Sequence, residues 1–389
     1  MNNDVKFIKG QGGLVRPLPG RDHYSGLAYY VGDDTSAPSG WVHGEPRQVF
    51  SLADLESKNI KADTGDYAVL HYHVKEFFRL NPGASLWLVL QQLPAMGNPD
   101  FAEVDELMNE SSDIRQIGVY IPMAFATTQV SALQAKAAAL EASHKPVQLL
   151  MQALHASIDV STLDDLRALT APKVSVCLGQ DTTDEVEALV DTETAPGCLG
   201  TALGVVSRSQ VNESIGWVGK FDLAGSGAWD IPALCDGTLI KTLTNSQIDT
   251  LNEKGYLVVV KRVGLSGSWF YDSPTSVAAT SDYAYIENNR TIDKAIRGMY
   301  SYLLPEINSP VQVSSDGKLR PDFVKYMESL SMKALTEMQR NGEISDFAVT
   351  INHEQNVLST SKLEVSVVLI PVGVSRQIVV TVGFGLSLT

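Results

Sequence analysis

Apolar positions in the first half of the chain recur in two alternating rhythms. Short β-branched and leucine-rich runs at 86–90, 117–121, 147–150 and 174–178 read as buried strands. Between and before them lie helix-period segments at 66–78, 101–109, 130–143 and 162–169, the first ending at Asn81-Pro82-Gly83 and the last opening with Asp164 and Asp165 after Ser161. Strand and helix in strict alternation require crossover connections, which predicts an open, largely parallel sheet covered by helices. Gly197, Gly200, Ala202 and Gly204 then place small residues on one helical face, where two backbones can approach closely. Neither a full dinucleotide fingerprint nor a Walker lysine accompanies these glycines, so a phosphate loop is the weaker reading.

Gly, Ala and Pro crowd 225–237, as at a junction between folding units. Beyond it, Ser246 with Asp249 resembles an acidic capping box, Gly255 ends that helix, and a strand over 256–261 turns at 264–267 into a partner at 268–271. Two long amphipathic helices follow. One carries the stripe Ile292, Ala295, Ile296, Met299 and Leu303, with Asp293, Lys294 and Arg297 facing elsewhere. The other carries Phe323, Met327, Leu330, Ala334 and Met338, with Pro321 in its first turn and Gly342 past its end. Both stripes are read as core. The closing residues alternate in the strand rhythm at Phe347, Val349 and Ile351, and again at Leu363, Val365, Val367 and Leu369. After Pro371 and Gly373 a third apolar run begins at Arg376.

That last run must be covered, because an exposed apolar edge templates association. It either folds back as the last strand of its own sheet or adds to the sheet of another chain. A second extended segment at 4–20 carries Val5, Phe7 and Ile8 ahead of Gly10, Gly12, Gly13, Pro17 and Pro19, a composition that leaves little to bury against its own domain. Two such arms favour exchange between copies.

With 389 residues, 44% hydrophobic and 19% charged, the chain is long enough for two or three ordered domains. Its net charge of −15 disfavours phosphate backbones and anionic lipid, and no basic run offsets it, so neither nucleic acid nor membrane insertion is expected. No secretory leader or spanning segment is read, which places synthesis and assembly in the cytoplasm. Cys177, Cys198 and Cys235 are too far apart for a thiolate metal site and are read as buried free thiols. His71 and His73 fall on a helix, where positions two apart diverge, so no metal site is expected there. The acidic stretch Asp181, Asp184, Glu185, Glu187, Asp191 and Glu193 is read as solvated surface. No catalytic motif is found, and no cofactor is expected.

The segment 236–271 (DGTLIKTLTNSQIDTLNEKGYLVVVKRVGLSGSWFY) and 281–300 (SDYAYIENNRTIDKAIRGMY) together resemble the C-terminal domain of contractile tail sheath proteins. RPLPGRDHYSGLAYY at 16–30, HYHVKEFFRLNPG at 71–83 and RQIVVTVGF at 376–384 resemble the same family in its compact Mu-like branch, so the likeness covers nearly the whole chain and rests on the order of the segments. The resemblance implies α/β and α+β architecture. An N-terminal arm (1–25) precedes an outer open α/β domain (26–237); a C-terminal sheath domain (238–373), with two long helices packed on a mixed sheet, precedes a C-terminal β arm (374–389).

It further implies a subunit that polymerises as stacked rings into a helical tube around an inner tail tube protein, with baseplate and tail terminator proteins as further partners. The phage virion tail or a contractile injection particle is the implied location. The arm role falls on Val5, Phe7, Ile8, Ile378, Val379, Val380 and Val382. Lys325, Lys333 and Arg340 on the second long helix are candidates to meet an acidic inner tube. Contraction needs no nucleotide, since an extended lattice can relax to a lower-energy one. Two other readings stay open: an α/β enzyme or small-molecule binder with a pocket at the carboxyl ends of the strands, and a tube or baseplate component.

Overall fold

The computed structural model describes residues 21–190 and 195–384. Its largest element is a seven-stranded sheet built from β1 (Ser25–Val31), β2 (Arg47–Val49), β3 (Leu86–Gln92), β4 (Gln116–Tyr120), β5 (Gln148–Gln152), β6 (Val174–Cys177) and β7 (Tyr256–Leu257), in spatial order β7-β6-β5-β4-β1-β3-β2. Every pairing is parallel except β2 with β3. This is the open α/β layer that the alternating rhythm predicts.

Side chains of β1 alternate between two cores, as a strand covered on both faces must. Leu27, Tyr29 and Val31 point to α1 (Ala68–Leu80), while Ala28 and Tyr30 point to α2 (Ala102–Glu110) and α3 (Thr127–Ala142). On the first face α4 (Leu199–Arg208) packs against α1 so closely that a Cβ on Gly200 would lie 2.4 Å from the His73 carbonyl oxygen. The small-residue face read from the sequence is therefore a helix contact. Where the chain's direction across the sheet reverses, between β1 and β4, the rings of Tyr29 and Tyr120 stack at 4.9 Å, both buried.

Residues 238–277 extend this layer. Helix α5 (Asn245–Glu253) leads into the edge strand β7, and β8 (Val259–Lys261) pairs antiparallel with β9 (Ser268–Phe270). The α5 cap differs from the expected Ser246/Asp249 pair. Thr244 Oγ1 accepts from the Gln247 amide at 3.2 Å and the Thr244 amide donates to Gln247 Oε1 at 2.9 Å, which frees Asp249 to accept from the Tyr271 hydroxyl.

A second expectation fails at 162–169, where only a single 3-10 turn (Leu166–Ala168) forms. Lys254 Nζ donates to the carbonyls of Val160, Ser161 and Leu163, of which Leu163 lies inside the expected helix, and so holds this stretch in an irregular path. A third fails at Asp181, read as surface: it is buried, and burial raises its pKa. The three cysteines are free and buried, as expected.

The C-terminal unit packs α6 (Ile286–Leu303) against α7 (Pro321–Arg340), with Gly298 of α6 leaving no room for a Cβ beside Ala334. Below α7 lies a hairpin of β10 (Ile344–Thr350) and β11 (Ser366–Pro371). Ala295, Leu335, Met338, Ile344 and Val349 form its core. The α7 stripe is buried as its period predicts, with Phe323 half-buried, whereas in the α6 stripe Ala295 is buried and Ile292, Ile296, Met299 and Leu303 are half-buried. The other flank of α6 is polar but not solvated. Asp293 pairs with Lys173 at 2.5 Å, both nearly fully buried, and Arg290 donates to Ser209 Oγ at 2.7 Å and to the Gln210 carbonyl at 3.1 Å. Burial brings Arg290 down to about 10. These contacts join the two units through α6.

Candidate assembly interface

Among the described residues the β10–β11 hairpin is a two-stranded sheet with one partner per strand, so each strand keeps an outer edge without a described neighbour. Its inner face is apolar and covered by α7, and this determines which way the strands lie. On the outer face Val368 and Ile370 of β11 are exposed. Open edges carry unpaired amides and carbonyls aligned to accept a further strand.

Past Pro371 the chain runs to residue 384 without forming a strand, and within that stretch no backbone hydrogen bond reaches the body of the protein. Ile378 is 80% exposed, Val379 79%, Val380 74% and Val382 87%. These are the four residues expected to form the C-terminal arm, and all four are exposed.

One side chain ties this segment down. Arg376 Nε donates to both carboxylate oxygens of Asp272, at 2.8 and 3.0 Å, and its Nη2 donates to Glu287 Oε1 at 2.5 Å. The guanidinium sits 3.4 Å from the centre of the Tyr285 ring. Burial alone would lower the Arg376 pKa, but Asp272 and Glu287 outweigh it and raise it. Burial raises Glu287 against the pull of Arg376. Sequence reading missed this socket because Asp272 and Glu287 lie 104 and 89 residues before Arg376, with no local pattern to link them.

At the other end the described chain begins at a short 3-10 turn, Arg21–His23. Asp22 accepts from Lys294 Nζ at 2.7 Å and lies 3.6 Å from Arg297, both on α6. Burial would raise the Asp22 pKa, but Lys294, Arg290 and Arg297 together hold it below the usual carboxylate range. Val5, Phe7 and Ile8 lie outside the described residues.

Asp22 also lines a cleft of about 1390 Å³ between α6, α7 and the end of α4. The structure brings Lys325, Lys333 and Arg340 together on its α7 wall, all three exposed. Lys333 Nζ stands 5.6 Å from the Tyr302 ring centre. His71 and His73 diverge as read from the sequence: His71 pairs with Glu56 at 3.0 Å, and His73 Nδ1 accepts from the Gly200 amide at 3.2 Å. Among the described residues no cluster of His, Cys, Asp and Glu could hold a metal ion, and no helix is long and apolar enough to cross a membrane.

Residues 3–274 match the family model described as the N-terminal domain of DUF2586, and residues 282–389 match its C-terminal domain. The chain belongs to the DUF2586 family. No curated protein matches the sequence. Among solved structures, this DUF2586 chain is similar to the helical sheath of the anti-feeding prophage in its contracted state, with a TM-score of 0.67 at 16% identity over 98% of this chain and 99% of that one.

It is similar also to the contracted sheath of an extracellular contractile injection system, PVC (TM-score 0.63, 12% identity, 99% and 98% covered). A sheath tail protein from Desulfitobacterium hafniense aligns at TM-score 0.54 and 10% identity, over 95% of this chain and 100% of that one. These likenesses span both units of the DUF2586 chain, which therefore has the fold of contractile sheath proteins.

Proposed function

We propose that this DUF2586 protein is a structural subunit of a contractile sheath, which polymerises into a helical tube around an inner tail tube and shortens to drive that tube through an envelope. The observation that carries the reading is the combination of an end-to-end sheath fold with a hairpin open on both edges and an apolar tail held out in solvent. The tail supplies the alternating side chains and the hairpin the free backbone groups that strand exchange between copies would need.

On this reading Val5, Phe7 and Ile8 serve the N-terminal arm, and Ile378, Val379, Val380 and Val382 the C-terminal arm. The α7 wall with Lys325, Lys333 and Arg340 faces the inner tube. Baseplate and terminator proteins cap the polymer, which is assembled in the bacterial cytoplasm and works as part of a phage tail or injection particle. The seven-stranded layer, which takes in residues 238–277 beyond the expected boundary at 237, forms the outer layer, and the unit of α6, α7 and the hairpin the layer nearer the tube. The protein acts by changing lattice rather than by catalysis.

Removing residues 377–389 tests the reading while leaving the Arg376 ion pairs intact. The full chain should form tubes visible by negative-stain microscopy, and the shortened chain should stay soluble with an unchanged melting temperature. Tubes from the shortened chain, or no tubes from the full chain at any concentration, would overturn it.

A further inference from the structure

Both ends of the described chain are tied to one helix, by ions of opposite sign. Asp22 is held by Lys294 and Arg297, and Arg376 by Glu287, two turns toward the start of α6 from Lys294. We propose that α6 is the common anchor of the two arms, and that Arg376, seated between Asp272 and Glu287, is the positioning residue that fixes where the C-terminal arm leaves the subunit. The proposal deepens the sheath reading and takes its meaning from it.

The socket needs the arginine. The side chains of Asp272 and Glu287 are 10% and 2% exposed, and among the described residues Arg376 is the cation in ion-pair contact with each. Ser273 adds a hydroxyl to Glu287 Oε2 at 2.6 Å and an amide to Asp272 Oδ1 at 2.8 Å, which satisfies the carboxylates without neutralising them. Arg167 stands 5.4 Å from the same Tyr285 ring, but its Nη1 donates to the carbonyls of Thr275, Val277 and Ala284. Withdrawing Arg376 would leave two buried carboxylates without a counter-ion, far costlier than leaving an exposed pair unmade. A forked, charge-assisted contact on an aromatic floor also fixes direction as well as position.

The consequence is geometric. Among the described residues, 372–375 make no backbone hydrogen bond to the body, and 377–384 are exposed. An arm rooted at Pro371 would gain the reach of residues 372–376, about 16–18 Å when extended. An arm rooted at Arg376 lacks that slack, so a partner strand must dock at a set distance from α6.

The anchor is read first in the soluble subunit. A spin label at Val374→Cys is selective because Cys177, Cys198 and Cys235 are buried. Its spectrum should be broad in the parent chain, sharpen on Arg376→Ala, and stay partly broad in Arg376→Lys; a label at Val382→Cys should be sharp throughout. Identical spectra at 374 with and without Arg376→Ala overturn the anchor, whatever the chain does in polymerisation.

Assembly is read second, by pelleting across concentrations. Inserting Gly-Ser after Gly373 should leave the concentration needed for tubes within about twofold, because loop length there costs little. Arg376→Ala should raise it about tenfold or more, as loss of a buried charge partner does at interfaces. The reverse ranking would root the arm at Pro371 and refute the proposal. If Arg376→Ala fails to fold, the Arg376→Ala/Asp272→Asn/Glu287→Gln triple variant removes the unpaired charges and must show the same loss. A parent chain with the expected spectra but no tubes would sink the sheath reading and leave the anchor standing.

Discussion

His73 is fully buried: Nδ1 accepts from the first turn of α4, while Nε2 meets no hydrogen-bond partner among the described residues. Burial brings its pKa down to about 3. The native state therefore keeps this imidazole neutral where the unfolded chain, with an ordinary value near 6.5, takes up a proton, so acid favours unfolding from about pH 6.5 down to about pH 3. His73→Asn keeps an acceptor for the Gly200 amide without the titration. Urea unfolding between pH 6.5 and 4 should show the stability of the variant falling less steeply, by at most about 1.4 kcal/mol per pH unit. Glu287 and Glu343, raised by burial, carry the opposite sign, but they are common to both proteins and drop out of the difference. Parallel pH profiles would count against this account. The divergence of His71 and His73 was legible from helical spacing. That one of them would sit against a glycine more than a hundred residues later was not, because the contact belongs to the packing of α1 on α4.

Elements whose period is set by a single face were the easiest to read. Helix α7 follows its apolar stripe because it buries one side against a large partner, and strands β3 to β6 read as apolar runs because both their faces are covered; α6 departs from its pattern, its polar flank being more deeply buried than its apolar stripe. The pattern failed at 162–169, where Lys254 holds the carbonyls of Val160, Ser161 and Leu163, and at the α5 cap, where the two Ser/Thr signals lie two residues apart. The tail is an element of a different sort: strand-like in sequence, without a strand partner among the described residues. Ile378, Val380 and Val382 alternate, so on pairing they fall on one face with Val379 on the other. Replacing those three with aspartate should abolish tube formation and leave the melting temperature of the soluble subunit within about 1 °C, since solvent-exposed side chains add little to folding. Circular dichroism and pelleting separate the two effects; a lowered melting temperature would mean that the tail packs on its own body after all.

At the scale of the molecule, two units are joined through α6 by the buried Lys173–Asp293 pair and the hydrogen bonds of Arg290, an arrangement suited to moving as one body. The cleft beside that junction gathers Lys325, Lys333 and Arg340, which a sequence pattern can place on one helix but not against a neighbouring wall. Reversing all three charges should leave the subunit folded and weaken assembly templated by an acidic inner tube by about tenfold or more at low salt, an effect that added salt masks. Unchanged templating would remove these residues from the tube-facing role.

The stacked rings of Tyr29 and Tyr120 fill the place where an open α/β sheet elsewhere keeps a crevice for a cofactor. A cofactor site must stay hollow until it is loaded, and a hollow yields under compression. With these two rings stacked and buried there, a load applied at one flank of the layer should reach the other without first collapsing a void between them.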